Sequence, residues 1–540
     1  MSETVFEQEP SGSSTPGRFR RLIDRSERST FLISFAFLGL VLLPIWIADR
    51  YHLEDWRRLL DGSFGWTGEG RPLTELLMRV LNLGDPFKDL SPLPQLAAIA
   101  ILSYNAVLIS RRFSIRPPLL GALIAFPIGG SPFFLENLSF RFDSLGMVLA
   151  MTLALAPILA TEKLSFRASL VGAFCIFASL GFYQTGINAF LVFFIVELAL
   201  LQLGAVPLKK LQKRILLRCA QFITGFVPYL LLARTLIRGS YNQQHFAFVT
   251  KVSEIGTIAR NWKTAWHFIY SSLPGGQREL FHLPILLGIL LLFGIGLYYV
   301  GVLIRSHQSV FVVILVLFAV VLLPLCWIAG ALGPVLFPVS AIITLPRIHM
   351  GIGPLLASSF VLLYATISKF GLAAKWLCIL LAIPAYVTIN TAFVFGNALK
   401  EQKSYEDRIG AKLVNDVNLV SRAHPIDTII MDGNVGYAPV IRQVMQRYRL
   451  LRNLVSIDFR TDRNDGSYIH NKLRYYGLNT PAETSDDARS AILSKVGISV
   501  PLQTSDSYRL YVIDHHLVIE FGPAPSQGLQ TGVQEFPSIR

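Results

Sequence analysis

Apolar stretches of about 18 residues or more recur along this chain. They lie near 30–48, 93–110, 117–134, 143–160, 167–184, 187–205, 215–234, 283–304, 309–331, 351–367 and 376–396. A run of that length, helical and nearly free of charge, crosses a bilayer core of roughly 30 Å, whereas a soluble domain has no use for so many. The pattern predicts an α-helical polytopic membrane protein with about eleven transmembrane helices. Composition agrees: 52% of the 540 residues are hydrophobic and 16% charged. The formal net charge of +14 is read as Lys and Arg kept on cytoplasmic loops. No basic stripe interleaved with aromatics points to nucleic acid.

The basic residues set the orientation. Arg18, Arg20, Arg21, Arg25 and Arg28 precede the first run; Arg111, Arg112 and Arg116 follow the second, and Lys209, Lys210, Lys213 and Arg214 the sixth. Arg305, Lys369 and Lys375 fall in register with them. All lie on one side if the N-terminus is cytoplasmic, which places loop 49–92, the 136–143 segment, the 183–184 turn, loop 235–282, segment 332–350 and everything after about 397 outside. The run at 117–134 holds Pro117, Pro118, Pro127 and Gly129-Gly130, so a broken or re-entrant helix is expected there. Residues 1–29 are polar, then basic, and read as a disordered cytosolic tail. The body, 30–397, is the membrane domain.

Beyond 397 polar residues rise and strand and helix signals alternate. Thr428–Met431, Tyr508–Ile513 and Leu517–Phe521 read as strands, Ala438–Tyr448 and Tyr468–Tyr476 as helices. A small C-terminal α/β domain over 398–540, on the external face, is the expectation. The four cysteines show no CxxC and no pairing by spacing.

Glu54-Asp55-Trp56-Arg57-Arg58 stands where the first span surfaces. Charge at that depth is costly against lipid and invites a functional reading. Sugar transfer to a hydroxyl needs a base for the acceptor proton, and a carboxylate also stabilises an oxocarbenium-like transition state. The plainer alternative is a solvated loop acid, or Asp55 capping a helix that starts near Trp56. Arg57, Arg58 and Arg71 can grip a lipid phosphate by paired hydrogen bonds, or touch lipid headgroups. Gly70-Arg71-Pro72 forms a rigid turn ahead of an amphipathic stretch, Leu73–Leu83, suited to the interface plane.

Four further groups fall on the same face. Glu136, Asn137, Arg141 and Asp143 form a dense polar cluster that suits sugar hydroxyls or an internal Arg–carboxylate pair. Tyr183 and Gln184 offer hydrogen-bonding groups, or helix-end caps. Arg347 enters from the external side against the charge bias, which suits a phosphate; His349 beside it suits a sugar or a structural role. No GxxxxGK[ST], no GxGxxG in a βαβ setting and no HExxH occurs.

These segments, in this order, resemble the Gtr-type glucosyltransferases that modify bacterial O-antigen, within the GT-C membrane class. The resemblance rests on Glu54-Asp55-Trp56-Arg57-Arg58, Gly70-Arg71-Pro72-Leu73, the stretch from Pro132 to Asp143, Tyr183-Gln184, Pro346-Arg347 and 397–420. It implies an enzyme of the bacterial inner membrane that moves glucose from a polyprenyl-phosphate carrier to a hydroxyl of O-antigen or a related surface glycan, with inversion. A separate transferase that loads the carrier and a small flippase are the implied partners. Carried over, Glu54 and Asp55 are the catalytic pair, their division of labour open. Arg71, Arg347 and Arg58 take the donor phosphate. Glu136, Asn137, Arg141, Asp143, Tyr183, Gln184 and His349 take sugar or acceptor. No metal site is implied, although a divalent cation is left open.

A transporter or flippase for lipid-linked sugar is the alternative. It needs ionisable groups inside the spans along a pathway, whereas here most of them gather at external helix ends. The topology predicts that a periplasm-dependent reporter fused after residue 400 is active; activity only of a cytoplasmic reporter there overturns the orientation.

Overall fold

The computed structural model describes residues 24–522 apart from 161–164, 239–242, 244–246, 341–342, 373–374 and 462–466. Most of the expected tail, residues 1–23, lies outside the described residues. Packing divides the chain into two compact units. The first takes the chain up to Tyr51, Ser63–Asn397 and Met445–Leu454; the second takes His52–Gly62, Ala398–Val444 and the chain from Val455 on.

A helix stands at each apolar window of the first unit. In chain order the unit contains α1 (Arg25–Ala48), α3 (Pro72–Leu81), α4 (Leu93–Arg112), the pair α5 (Pro118–Gly130) and α6 (Pro132–Ser139), α7 (Ser144–Ala160), α8 (Phe166–Phe182), α9 (Asn188–Leu203) and α10 (Leu208–Leu236). Then come α11 (Ile255–Ser272), α12 (Gln277–Arg305), α13 (Val310–Leu332), α14 (Ile352–Lys369) and the first part of α15 (Lys375–Ala423). The remaining early helix, α2 (Leu53–Asp61), belongs to the second unit.

Among the described residues 8 helices are long and apolar enough to cross a membrane, or 9 if the bent pair α5–α6 is one span. Helices α7 and α8 are apolar but only 17 residues each, about 25 Å of rise against a ~30 Å core. The expected number near eleven therefore turns on these two.

Local chemistry explains the ends. Asp24 opens α1 with a capping box: its own N–H donates to Glu27 at 3.1 Å, and its side chain caps the first turn. Ser165 and Ser309 cap α8 and α13 from their hydroxyls. The break at 117–134 is real. Ser131 is extended, Pro132 cannot continue the ladder, and α5 and α6 meet at 48°. Helix α14 approaches that break so closely that a Cβ on Gly353 would lie 2.4 Å from the Pro127 carbonyl oxygen. At Gly396 the same atom would sit 2.4 Å from the Pro44 backbone on α1.

A buried ion pair joins two of the spans. Glu197 on α9 is buried and takes a two-pronged grip from Arg218 on α10, at 2.7 and 2.8 Å, with Arg112 at 3.5 Å and Arg214 at 3.6 Å. A carboxylate taken from water is tolerated when so many donors meet it.

The second unit is an α/β layer structure. Its sheet has the order β1–β4–β3–β2, from β1 (Thr428–Gly433), β2 (Gln503–Thr504), β3 (Tyr508–Ile513) and β4 (His516–Phe521). β1 and β4 are parallel; the other pairs are antiparallel. Side chains alternate across it. Ile429, Met431, Leu510, Leu517 and Ile519 pack under Ile409, Leu413 and Val417 of the last part of α15. Ile430, Tyr511, Ile513 and Val518 face Ile492 of a helix over Asp486–Val496. Both faces of β1, β3 and β4 are covered, so the strands read as short apolar runs and not as strict alternation. Helices α16 (Pro439–Arg447) and α17 (Ser467–Tyr475) stand where helical spacing predicted them.

Filling the gap at Gly396 tests the crossing of α1 and α15. Gly396→Val is expected to destabilise the protein by about 1–3 kcal/mol through overpacking, read as a lowered unfolding midpoint in detergent; an unchanged midpoint overturns the tight crossing.

Candidate functional site

In the first unit Arg71 is the centre of a polar knot. Pro72 starts α3, and the turn Trp66–Glu69 before it is closed by Gly70, whose φ of 77° suits glycine. This throws the Arg71 side chain over the Tyr183 ring at 4.6 Å and within 3.3 Å of Asp143 and 3.2 Å of Glu69. Asp143 is 2% exposed and also accepts from the Trp66 indole at 2.6 Å. Gln184 holds the turn from the other side, donating to the Glu69 carbonyl at 3.1 Å and to the Tyr229 hydroxyl at 2.9 Å; that hydroxyl donates in turn to the Gly70 carbonyl at 2.9 Å. The guanidinium is thus oriented by three side chains while keeping some solvent exposure, a suitable state for a group that meets an anion.

A second pair stands close by. Glu136, on α6, is 2% exposed and accepts from both the Arg347 guanidinium at 3.0 Å and the Arg347 backbone N–H at 2.8 Å. Asn137 donates to the Arg347 carbonyl at 3.2 Å. The bend after Ser131 is what turns Glu136 and Asn137 toward the 346–349 turn. Tyr183 lies within electrostatic reach of Arg71, Arg347, Glu136 and Asp143 together.

Arg141 is used differently. It binds Asp49 and, at 2.9 Å, Asp89, and stacks on Tyr51 at 4.0 Å, whose hydroxyl donates to Asp89 at 2.8 Å. Burial opposes its charge, but the two carboxylates outweigh that and hold the guanidinium above its usual range. His349 is fully buried, its Nε2 2.8 Å from the Ile343 carbonyl oxygen and its ring between Phe133 and Phe268.

In the second unit, helix α2 carries the acidic pair. The helix begins at Leu53, earlier than expected, so Asp55 sits at the third position and its Oδ2 accepts from the His52 N–H at 2.9 Å. Asp55 is fully buried. The Glu54 side chain keeps 29% exposure and faces Arg58, one turn on, at 3.6 Å. Trp56 points inward: its indole donates to Asp458 at 3.3 Å and its ring meets Tyr475 at 4.9 Å.

Of the residues singled out in sequence, Arg71, Asp143, Tyr183 and Gln184 form one cluster and Glu136, Asn137 and Arg347 its neighbour. Arg141 and His349 each have separate partners, and Glu54, Asp55 and Arg58 share α2. Sequence reasoning missed Trp66, Tyr229, Asp49, Asp89, Asp458 and Lys472. Tyr229 had a signal, a hydroxyl inside an apolar span next to Pro228; Asp458 and Lys472 had none, being far from α2 along the chain.

The family model described as glucosyl transferase GtrII matches residues 43–357, more than half of the chain. The chain is also similar to an uncharacterized 55.3 kDa protein in the gtrB 5' region of Salmonella phage P22, at 23% identity over 425 residues, 78% of this chain and 85% of that protein. No solved structure matches the chain.

Removing one partner of the Glu136–Arg347 pair leaves a buried charge. Arg347→Met is expected to cost roughly 3–5 kcal/mol of stability, with Arg347→Lys recovering part of it in the same melting experiment. A midpoint equal to wild type for Arg347→Met overturns the pairing.

Proposed function

The chain belongs to the GtrII glucosyl transferase family, and from that premise we propose that it moves a glucosyl group from a polyprenyl-phosphate carrier to a glycan hydroxyl, with Glu54 as the general base. The family match supports a glucosyltransferase role in O-antigen modification, and the long apolar helices make the chain a membrane protein. The carrier, the inverting mechanism, the periplasmic location and the residue roles are the proposal.

One observation divides the acidic pair. Asp55 is buried and engaged with the N-terminus of its own helix, while the neighbouring Glu54 keeps exposure and has an arginine one turn away. A base must reach the proton it takes. Glu54 suits that role; Asp55 fixes the first turn that presents it.

The step balances without a covalent intermediate. Glu54 takes the proton of the acceptor hydroxyl as its oxygen bonds to the anomeric carbon. The bond from that carbon to the phosphate oxygen breaks, and the electron pair leaves on the polyprenyl phosphate. Attack opposite the leaving group inverts the centre. The departing phosphate gains charge, which a pre-oriented guanidinium stabilises. Within the first unit, taken by itself, Arg71 and Arg347 have the exposure and the fixed orientation that suit a phosphate, and the hydroxyl and amide groups of Tyr183, Gln184 and Asn137 suit sugar hydroxyls. A loading transferase and a small flippase are the partners such a donor requires, since a carrier charged inside must be turned over before use outside.

The test uses full-length protein in liposomes with radiolabelled polyprenyl-phosphate glucose and an acceptor glycan. Glu54→Gln is expected to lower kcat about 10²–10⁴-fold, the usual worth of a general base, and Asp55→Asn to lower it less while lowering the melting point. No transfer by wild type overturns the donor; full activity of Glu54→Gln overturns the base.

A further inference from the structure

We propose that Lys472 is a positioning residue for transfer, holding α2 through Asp458 and Trp56 so that Glu54 is presented in one fixed direction. This rests on the base role given to Glu54 above.

The buried ammonium of Lys472, 1% exposed, lies 2.9 Å from Glu406 and 2.9 Å from Asp458. The Asp458 oxygen it touches is the one that accepts the Trp56 indole hydrogen bond. Glu406 closes the circuit: its other oxygen accepts from the Asp458 N–H at 2.9 Å and from Gln402 at 2.8 Å. The ammonium also sits 5.7 Å from the Trp56 ring. Two residues further along α17, Arg474 binds Asp61, the last residue of α2, at 3.0 Å. Helix α2 is thus gripped at its middle and its end from one neighbouring helix.

Helix geometry carries this grip to Glu54. At about 100° per residue, Glu54 and Arg58 both project roughly 160° away from Trp56, next to each other on the far face. Turning the indole turns the carboxylate. Buried ions are a poor device for stability alone, because desolvation offsets their attraction and apolar side chains of similar size serve as well. They do impose direction. One shared oxygen fixes where the indole can donate, and a general base loses rate steeply when displaced by about an ångström.

The test compares Trp56→Phe, Asp458→Asn and Lys472→Met with wild type in the liposome assay, alongside Glu54→Gln. Trp56→Phe keeps an aromatic ring but removes the donor, together with the five-membered part of the buried indole. It is expected to lower kcat about tenfold or more per folded molecule with the donor KM within about twofold, while the melting point falls by less than in Lys472→Met. The pair Trp56→Phe with Asp458→Asn is expected to lose little beyond the larger single loss, since both act through one bond. Wild-type kcat for Trp56→Phe, or a kcat loss in Lys472→Met that merely tracks its loss of folded protein, overturns the proposal. If Glu54→Gln is inert and Trp56→Phe is fully active, only the positioning role falls; if Glu54→Gln is fully active, the base assignment falls and the positioning role with it.

Discussion

The cost of taking charge out of water is the constraint on which this structure depends. In apolar surroundings an ion persists only with a partner held in good geometry. The first unit meets this with carboxylate–arginine pairs that join different elements: Asp143 with Arg71, Glu136 with Arg347, Glu197 with Arg218. Each pair joins elements that apolar packing alone would leave free to slide. Lipid-facing helices gain little from burying more hydrocarbon against each other, so polar contacts specify their register.

The same pairs make chemistry available. A guanidinium already fixed by a carboxylate and an aromatic face has lost its freedom before any anion arrives, so little reorganisation remains. Arg71, set by Asp143, Glu69 and Tyr183, has this character, as does Arg347. Arg141, spanned by Asp49 and Asp89, fits better as a brace for the segment after α1. A buried triad in the second unit follows the same rule, with Lys472 between Glu406 and Asp458. There Tyr476 donates to Asp407, and burial together with that carboxylate keeps the phenol protonated well above the usual range.

Much of the architecture was legible because it follows from local periodicity. Apolar windows marked every membrane-type helix among the described residues, Pro117, Pro118, Pro127 and Gly129-Gly130 marked the bent pair, and short apolar runs marked β1, β3 and β4. The acidic stretch was visible too, but its meaning was not. Asp55 reads as a helix cap or a base with equal ease until the helix is seen to start at Leu53. Its grouping was equally hidden, since α2 belongs with Ala398–Val444 and the chain from Val455 on, although it lies within the first loop of the chain.

By itself the sequence determined the class, a polytopic helical chain with an α/β C-terminal region, because hydrophobic length and period are carried by neighbouring residues. It also determined the inventory of charged groups and so the family resemblance. Only the tertiary structure decided which carboxylate meets which arginine, which of Glu54 and Asp55 keeps exposure, and that Lys472 stands behind Trp56. Those are contacts between residues separated by as many as 416 positions, from Trp56 to Lys472. No local rule encodes them; they exist only where burial forces each charge to find its partner.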